Sequence, residues 1–173
     1  MRKDLEKLSK EELMDYIEDI SKNWLAIDGT WFQAVEKEFG METAIKCDKE
    51  SWKVFTIVEA KRIMRRFGIE KNGGIPALMK ALKYRVYANI NEQEIIEISD
   101  KKCIFRMNKC RVQTKRNQKG LPDFPCKPVG LIEYADFAKT IDSRIETKCI
   151  CCPPDVHPEE YYCSWEFELK AEE

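Results

Sequence analysis

Eight cysteines stand in this 173-residue chain, one of them (Cys47) in the first 100 residues and seven in the last 73: Cys103, Cys110, Cys126, Cys149, Cys151, Cys152 and Cys163. Clustered thiols with no secretory leader ahead of them read better as metal ligands than as disulfides. Cys149-Ile-Cys-Cys152 is a C-x-x-C knuckle, in which two intervening residues let both sulfurs reach one tetrahedral ion. Cys163 returns on the next predicted strand, where a hairpin would set it beside the knuckle. Cys126, in DFPCKP, is held by a proline on either side. A sulfur-rich tetrahedral set favours zinc, so the spacing points to Zn2+ on Cys126, Cys149, Cys152 and Cys163, with Cys110 in reserve. An iron–sulfur cluster also accepts four cysteines, but the tight multi-cysteine run of ferredoxins is missing, which ranks it below zinc. Ordinary buried cysteines are the competing reading, and Cys47 and Cys103 fit it best. A nucleophilic or redox cysteine would need a lowered pKa, and no histidine stands near to help. His157, the single histidine, lies in the acidic loop DVHPEE and reads as solvated rather than as a ligand.

A second constellation lies in the first third of the chain. Asp28 interrupts an apolar face made by Trp24, Trp31, Phe32 and Val35. A carboxylate there must be paired, protonated or facing a cavity. One reading is a helix–helix ion pair with Arg62 or Arg66, which share a face with Glu59. The other is an aromatic pocket with one acid, a small-ligand site lined by Trp24, Asp28, Trp31 and Phe32. Further on, Lys101, Lys102, Arg106, Lys109, Arg111, Lys115, Arg116 and Lys119 have no acid among them. Such a run could hold phosphates, but 30 basic against 31 acidic residues leaves a net charge of −1 and argues against a nucleic-acid partner. A solvated face, or a patch for a small anion, fits better. No phosphate loop, dinucleotide fingerprint, nucleophile elbow or H-E-x-x-H motif is present, and no catalytic residue is assigned.

The elements that must position these residues divide the chain in two. Ser9 with Glu12 is a capping box. Leu13, Ile17, Ile20 and Trp24 follow at helical spacing, and a second helix runs through Trp31 and Val35 to Gly40, with Gly29 as a kink or break. Asp48 is read as the cap of a third helix bearing Trp52, Phe55, Val58, Ile63 and Phe67 and ending at Gly68. Pro76 suits the first position of a fourth, with Leu78, Leu82 and Val86 as its stripe. The period then changes. EQEIIEIS and CIFRMNKCRV read as a hairpin around SDKK, 113–130 as a long loop, LIEYADFAKTI as a helix, and RIETKCIC and YYCSWEFELK as strands. In the last strand Cys163, Trp165, Phe167 and Leu169 alternate inward. The expected class is α+β, one domain over 1–173: a helical half (1–90) packed on a small antiparallel, cysteine-rich sheet half (91–173). A content of 43% hydrophobic and 35% charged residues is globular. No apolar run approaches the roughly 20 residues of a membrane span, and MRKDLEKLSKEEL lacks the apolar core of a signal peptide, so the expected location is cytoplasmic.

The pattern from Cys126 and Gly130 through a helix to RIETKCICCPPD and YYCSWEFEL resembles the C-terminal half of 4-vinyl reductase-type domains. It also resembles the phenol-sensing input domains of bacterial transcription activators, which share their fold with haem–nitric-oxide-binding and vesicle-tethering proteins. The resemblance implies a structural zinc held by Cys126, by Glu146 and Cys149 as a Glu-x-x-Cys, and by Cys163. Here Cys152 offers a thiolate that could displace Glu146, and the loop before the last ligand is longer. Over nearly the whole chain, NWLAIDGTWFQAVEKEFG, CRVQTKRNQKGLPDFPCKPVG and the CPPD and YCSWEF segments are similar to an uncharacterised family of small cytosolic bacterial and archaeal proteins. That family is itself similar to L-2-amino-thiazoline-4-carboxylic acid hydrolases. The expected function is a small-molecule-binding, sensor-like domain with a structural zinc. The alternative is a zinc-assisted hydrolase of a small cyclic amide or thiazoline, with Glu146 or Asp28 as general base. Fold relatives dimerise through their helices, and a homodimer is the expected assembly.

Overall fold

Ser9 opens the longest element in the computed structural model, which describes residues 3–171; the expected domain span of 1–173 includes positions outside the described residues. Helix α1 (Lys10–Phe67) starts with the predicted capping box: the Glu12 N–H donates to the Ser9 hydroxyl and the Ser9 N–H to the Glu12 carboxylate. Gly40, at φ 84° and ψ 164°, breaks α1 in a single residue, a conformation side chains strongly disfavour. The arm 41–67 then returns alongside the arm 10–39. Trp24 stacks on Phe55 at 5.2 Å and meets Trp52 edge-on at 6.2 Å.

Three expectations for this region are corrected. The helix runs unbroken through Gly29 and through Asp48, so neither is a boundary. Ile17 and Ile20 are exposed rather than core. The second arm turns its buried Ala60 and Ile63 into the cluster with Ile75, Leu78 and Phe137, and leaves the start of the first arm uncovered.

Helix α2 (Gly74–Leu82) follows, then a short 3-10 turn at Val86–Asn89, so Val86 closes no helical stripe. Strands β1 (Glu92–Ser99) and β2 (Lys102–Lys109) form the predicted hairpin. Helix α3 (Arg111–Gln118) occupies part of the predicted loop. Its sequence, RVQTKRNQ, carries no apolar stripe and therefore no periodic signal. Helix α4 (Lys127–Ile141) begins before the predicted LIEYADFAKTI, with a proline in its first turn. Strands β3 (Ile145–Cys151) and β4 (Cys163–Leu169) complete one antiparallel sheet of order β1-β2-β4-β3. The fold is α+β: among the described residues, four helices and a four-stranded antiparallel sheet.

The register sets the inner face. Met107 lies opposite Cys163, Phe105 opposite Trp165, and Cys103 opposite Phe167, and all six are buried. Helix α4 lies on this face, with Tyr134 stacked on Trp165 at 4.7 Å. A Cβ at Gly130 would stand 2.7 Å from the Trp165 ring, so only glycine admits the close approach of α4 to β4. The second arm of α1 covers the other side of α4, where the Thr56 hydroxyl donates to the Glu133 carbonyl at 2.9 Å. Among the described residues no helix is long and apolar enough to cross a membrane.

Candidate ligand cavity and thiol cluster

Buried stripes at four-residue spacing on both arms of α1 carry acids as well as apolar groups. Leu25, Asp28 and Phe32 lie on one; Ala44, Asp48, Trp52 and Thr56 lie on the other. Where the stripes meet α3, the start of α4 and the ends of β2 and β4, they enclose a cavity of about 310 Å³. Asp28, Phe32, Asp48, Trp52, Cys110, Gln113, Cys126, Val129, Glu133 and Cys163 are among the residues on its wall.

The carboxylates here are short of positive charge. Burial pushes the Asp28 carboxyl up from its ordinary value. Burial first, then repulsion from Asp28 and Glu133, pushes Asp48 up to about 7, with a hydrogen bond from Trp52 as a partial offset. Both arginines expected as partners, Arg62 and Arg66, are exposed on the far side of the arm. The ion-pair reading of Asp28 is therefore set aside: it faces the cavity. Of the other residues expected in the pocket, Phe32 lines the wall. Trp24 packs behind it on Trp52, Phe55 and Tyr87. Trp31 points outward and is 51% exposed, because six residues on from Leu25 it has turned about 120° away from that residue's side of the helix.

Next to the cavity a second acid group has a cation of its own. Arg85, 2% exposed, reaches Glu59 at 2.9 Å and Glu133 at 2.7 Å, and the Val86 N–H donates to the other Glu59 oxygen at 2.8 Å. Burial works against the Arg85 charge, but Glu59 and Glu133 outweigh it and keep it protonated. Burial raises Glu133, which Arg85 counteracts.

The thiols gather on the opposite wall. Cys126 is the N-cap of α4, and its Sγ lies 3.5 Å from that of Cys152. Gln113 is a latch for this loop: its amide donates to the Phe124 carbonyl at 2.9 Å, accepts from the Phe124 N–H at 2.8 Å, and stands 3.6 Å from the Cys126 sulfur. Lys127 pairs with Asp155 at 2.8 Å and ties the loop after β3 to the start of α4. The Cys152 thiol is pushed up by its hydrogen bonds with the Cys126 and Cys163 sulfurs. Cys163 is held below the usual thiol range by that bond from Cys152, helped by Trp165 and Tyr134. Burial raises Cys110 to about 12, against backbone N–H groups of Gln113 and Val112 that favour its thiolate.

Of the four expected ligands, Cys126, Cys152 and Cys163 line the cavity, joined there by the reserve residue Cys110. Cys149 lies off that wall, on edge strand β3 opposite Trp165, where burial raises it to about 11 and Lys127 partly offsets the rise. Glu146 is not brought to the cluster. Strand alternation turns it to the outer face, where it is exposed and 3.4 Å from Lys170. His157 rests its Nδ1 on the Pro158 carbonyl, away from the thiols. Among the described residues no three His, Cys, Asp or Glu side chains stand close enough together to hold a metal ion as they are.

The basic run is not a free surface. Acids from neighbouring strands and helices meet it: Lys102 with Glu166 at 3.4 Å, Arg106 with Glu94 at 3.7 Å, Lys109 with Glu92, and Arg116 with Glu36 at 2.9 Å. Half of a stretch free of acids in sequence is thus matched, three cations across the sheet and Arg116 from α1, because partners in a ladder come from other segments.

Sequence reasoning missed Asp48, Glu133, Arg85 and Gln113. Asp48 looked like a cap, yet it shares the four-residue spacing of Trp52 and Thr56. Glu133 likewise falls on the α4 stripe with Gly130, Phe137 and Ile141.

A model described as a family of unknown function (DUF6125) matches residues 6–169. No curated protein and no solved structure matches the chain significantly. The match supports the expected membership of an uncharacterised family. No named relative stands behind the likeness to 4-vinyl reductase-type domains or to aminothiazoline hydrolases.

Proposed function

The chain belongs to the DUF6125 family of unknown function, and from its site we propose that it is a small-molecule-binding, sensor-like domain whose ligand occupies the cavity between α1 and the sheet. The observation that carries this is the cavity of about 310 Å³ with acids and thiols on its wall. Concave, largely apolar sites with a few convergent polar groups are where small ligands bind. Phe32, Trp52 and Val129 would desolvate the ligand, and Asp28, Asp48 and Gln113 would orient it. The likeness to phenol-sensing and 4-vinyl reductase-type domains belongs to this proposal.

A structural zinc belongs to it as well. One pair of donors has the spacing for it: Cys126 and Cys152 stand 3.5 Å apart, near the roughly 3.8 Å edge of a tetrahedron with about 2.3 Å zinc–sulfur bonds, and the other ligands would have to close in on them. Cys163 is the third ligand, and Cys110 or Cys149 the fourth. When bound, the ion would tie the loop before α4, the loop after β3 and strand β4 together and add to folding free energy. Self-association would cover the exposed Ile17, Ile20, Ile27 and Trp31 of the first arm.

One observation favours the hydrolase alternative. Asp48, pushed up to about 7, is poised as a general base near neutral pH should be. Glu146, exposed on the outer face, does not suit that role.

Native mass spectrometry of the reduced protein tests the proposal. The expected result is a zinc-mass adduct removed by chelator, together with a small-molecule adduct that disappears in the cavity-filling Val129→Trp variant. A bare chain in both proteins, with every thiol equally reactive with and without chelator, would overturn it.

A further inference from the structure

Resting on the cavity reading above, we propose that the ligand is a small organic cation, a primary ammonium or amidinium on an apolar body, with its charged head between Asp28 and Asp48. Asp48 is 8% exposed, and what it exposes faces the cavity. Among the described residues no lysine or arginine forms an ion pair with Asp28 or Asp48, and each acid raises the cost of ionising the other or is raised by burial alone. The nearest guanidinium, Arg85, is already divided between Glu59 and Glu133 and has no charge to spare.

Of the cations on the cavity wall, Lys22 and Arg116 are paired with acids, whereas Lys115 and Lys119 bond neutral amides. Lys22 reaches Glu18 at 2.7 Å, Arg116 reaches Glu36, Lys119 reaches Gln33 at 3.0 Å and Lys115 reaches Gln118 at 2.8 Å. The inner end of the cavity is therefore an anionic well inside apolar walls. A neutral ligand would leave buried carboxylates unmatched, an anion would meet them head-on, and a cation converts them into charge-assisted hydrogen bonds. A hard metal ion fits poorly, since it asks for about six oxygen ligands where two carboxylates stand beside Leu25, Phe32 and Trp52.

The test uses three probes of one shape: benzylamine, benzyl alcohol and benzoate. Each is titrated into the full chain at about pH 8, above the Asp48 value of about 7. The readout is the indole N–H resonance of Trp52, which shares the cavity wall with Asp48. Benzylamine should shift it saturably and bind about tenfold more tightly than benzyl alcohol, with benzoate weakest. Asp48→Asn should bring benzylamine and benzyl alcohol within about threefold of each other while the alcohol keeps its affinity. If Asp48→Asn fails to fold, Asp28→Asn and the wild-type ranking decide. Benzyl alcohol or benzoate binding as tightly as benzylamine would overturn the cation and leave the cavity reading standing. A folded protein whose Trp52 answers to none of the three would overturn both.

Discussion

Two groups of carboxylates lie close together on α1 and α4, with Asp48 and Glu59 about three turns of α1 apart. One is closed: Glu59 and Glu133 share Arg85, with a backbone N–H completing the set. The other is open: Asp28 and Asp48 share a cavity and have no cation. Asp48, Glu59 and Glu133 are buried alike while Asp28 is half-buried, so between Asp48 and the closed pair the difference lies in compensation. A protein that wanted only stability would have matched both or removed both, because an unmatched buried acid costs free energy. The closed group is architecture. The open group is where stability has been given up, and such places cluster at functional sites.

The largest effect should come from breaking the closed group. Arg85→Met leaves Glu59 and Glu133 buried without a cation and should cost about 3–5 kcal/mol in urea unfolding. A loss below about 1 kcal/mol would mean that Arg85 is no keystone and that the two groups do not differ as described.

The open group should respond with the opposite sign and with pH. The folded value of Asp48, about 7, is raised above its ordinary 3.8. The folded state therefore holds the proton more tightly than the unfolded chain. Stability is present below the unfolded value, falls as pH rises through the window between the two, and the loss is complete above about 7. Asp48→Asn should then be more stable than wild type at about pH 8, on the order of 2–4 kcal/mol at most, with the advantage shrinking toward pH 4. Thermal or urea unfolding across that range reads it. A variant whose difference from wild type is flat with pH would remove the claim that Asp48 is unmatched. The smallest change is expected at Lys109→Ala. Its pair with Glu92 is solvent-exposed on both sides and should be worth less than about 0.5 kcal/mol, which gives a baseline for the other two.

The thiols repeat the contrast. Cys103 is buried at the sheet centre beside Phe105 and Phe167, an ordinary core residue as its isolation in sequence suggested. Cys126 and Cys152 meet at 3.5 Å from segments 26 residues apart. The C-x-x-C spacing drew attention to Cys152, and the sulfur that meets it is that of Cys126. A register irregularity falls between Cys149 and Cys151 on strand β3, and Cys152 but not Cys149 reaches the cavity wall. Strand alternation, legible in IETKCIC, already placed Glu146 and Cys149 on opposite faces and argued against both serving one site.

By itself the sequence determined what depends on local chemistry: the Ser9 capping box, the end of α1 at Gly68, the hairpin of β1 and β2, the alternating face of β4 and hence the α+β class. Periodicity and caps act over a few residues, so a single chain records them. Only the tertiary structure decided which arm of α1 met which. It gave Arg85 to Glu59 and Glu133, left Asp28 and Asp48 without a cation, matched half of the basic run with acids from other segments and brought Cys110 rather than Cys149 to the cavity. Those outcomes depend on which groups from distant segments share a low-dielectric space, and burial and charge balance exist only once the chain has closed around them.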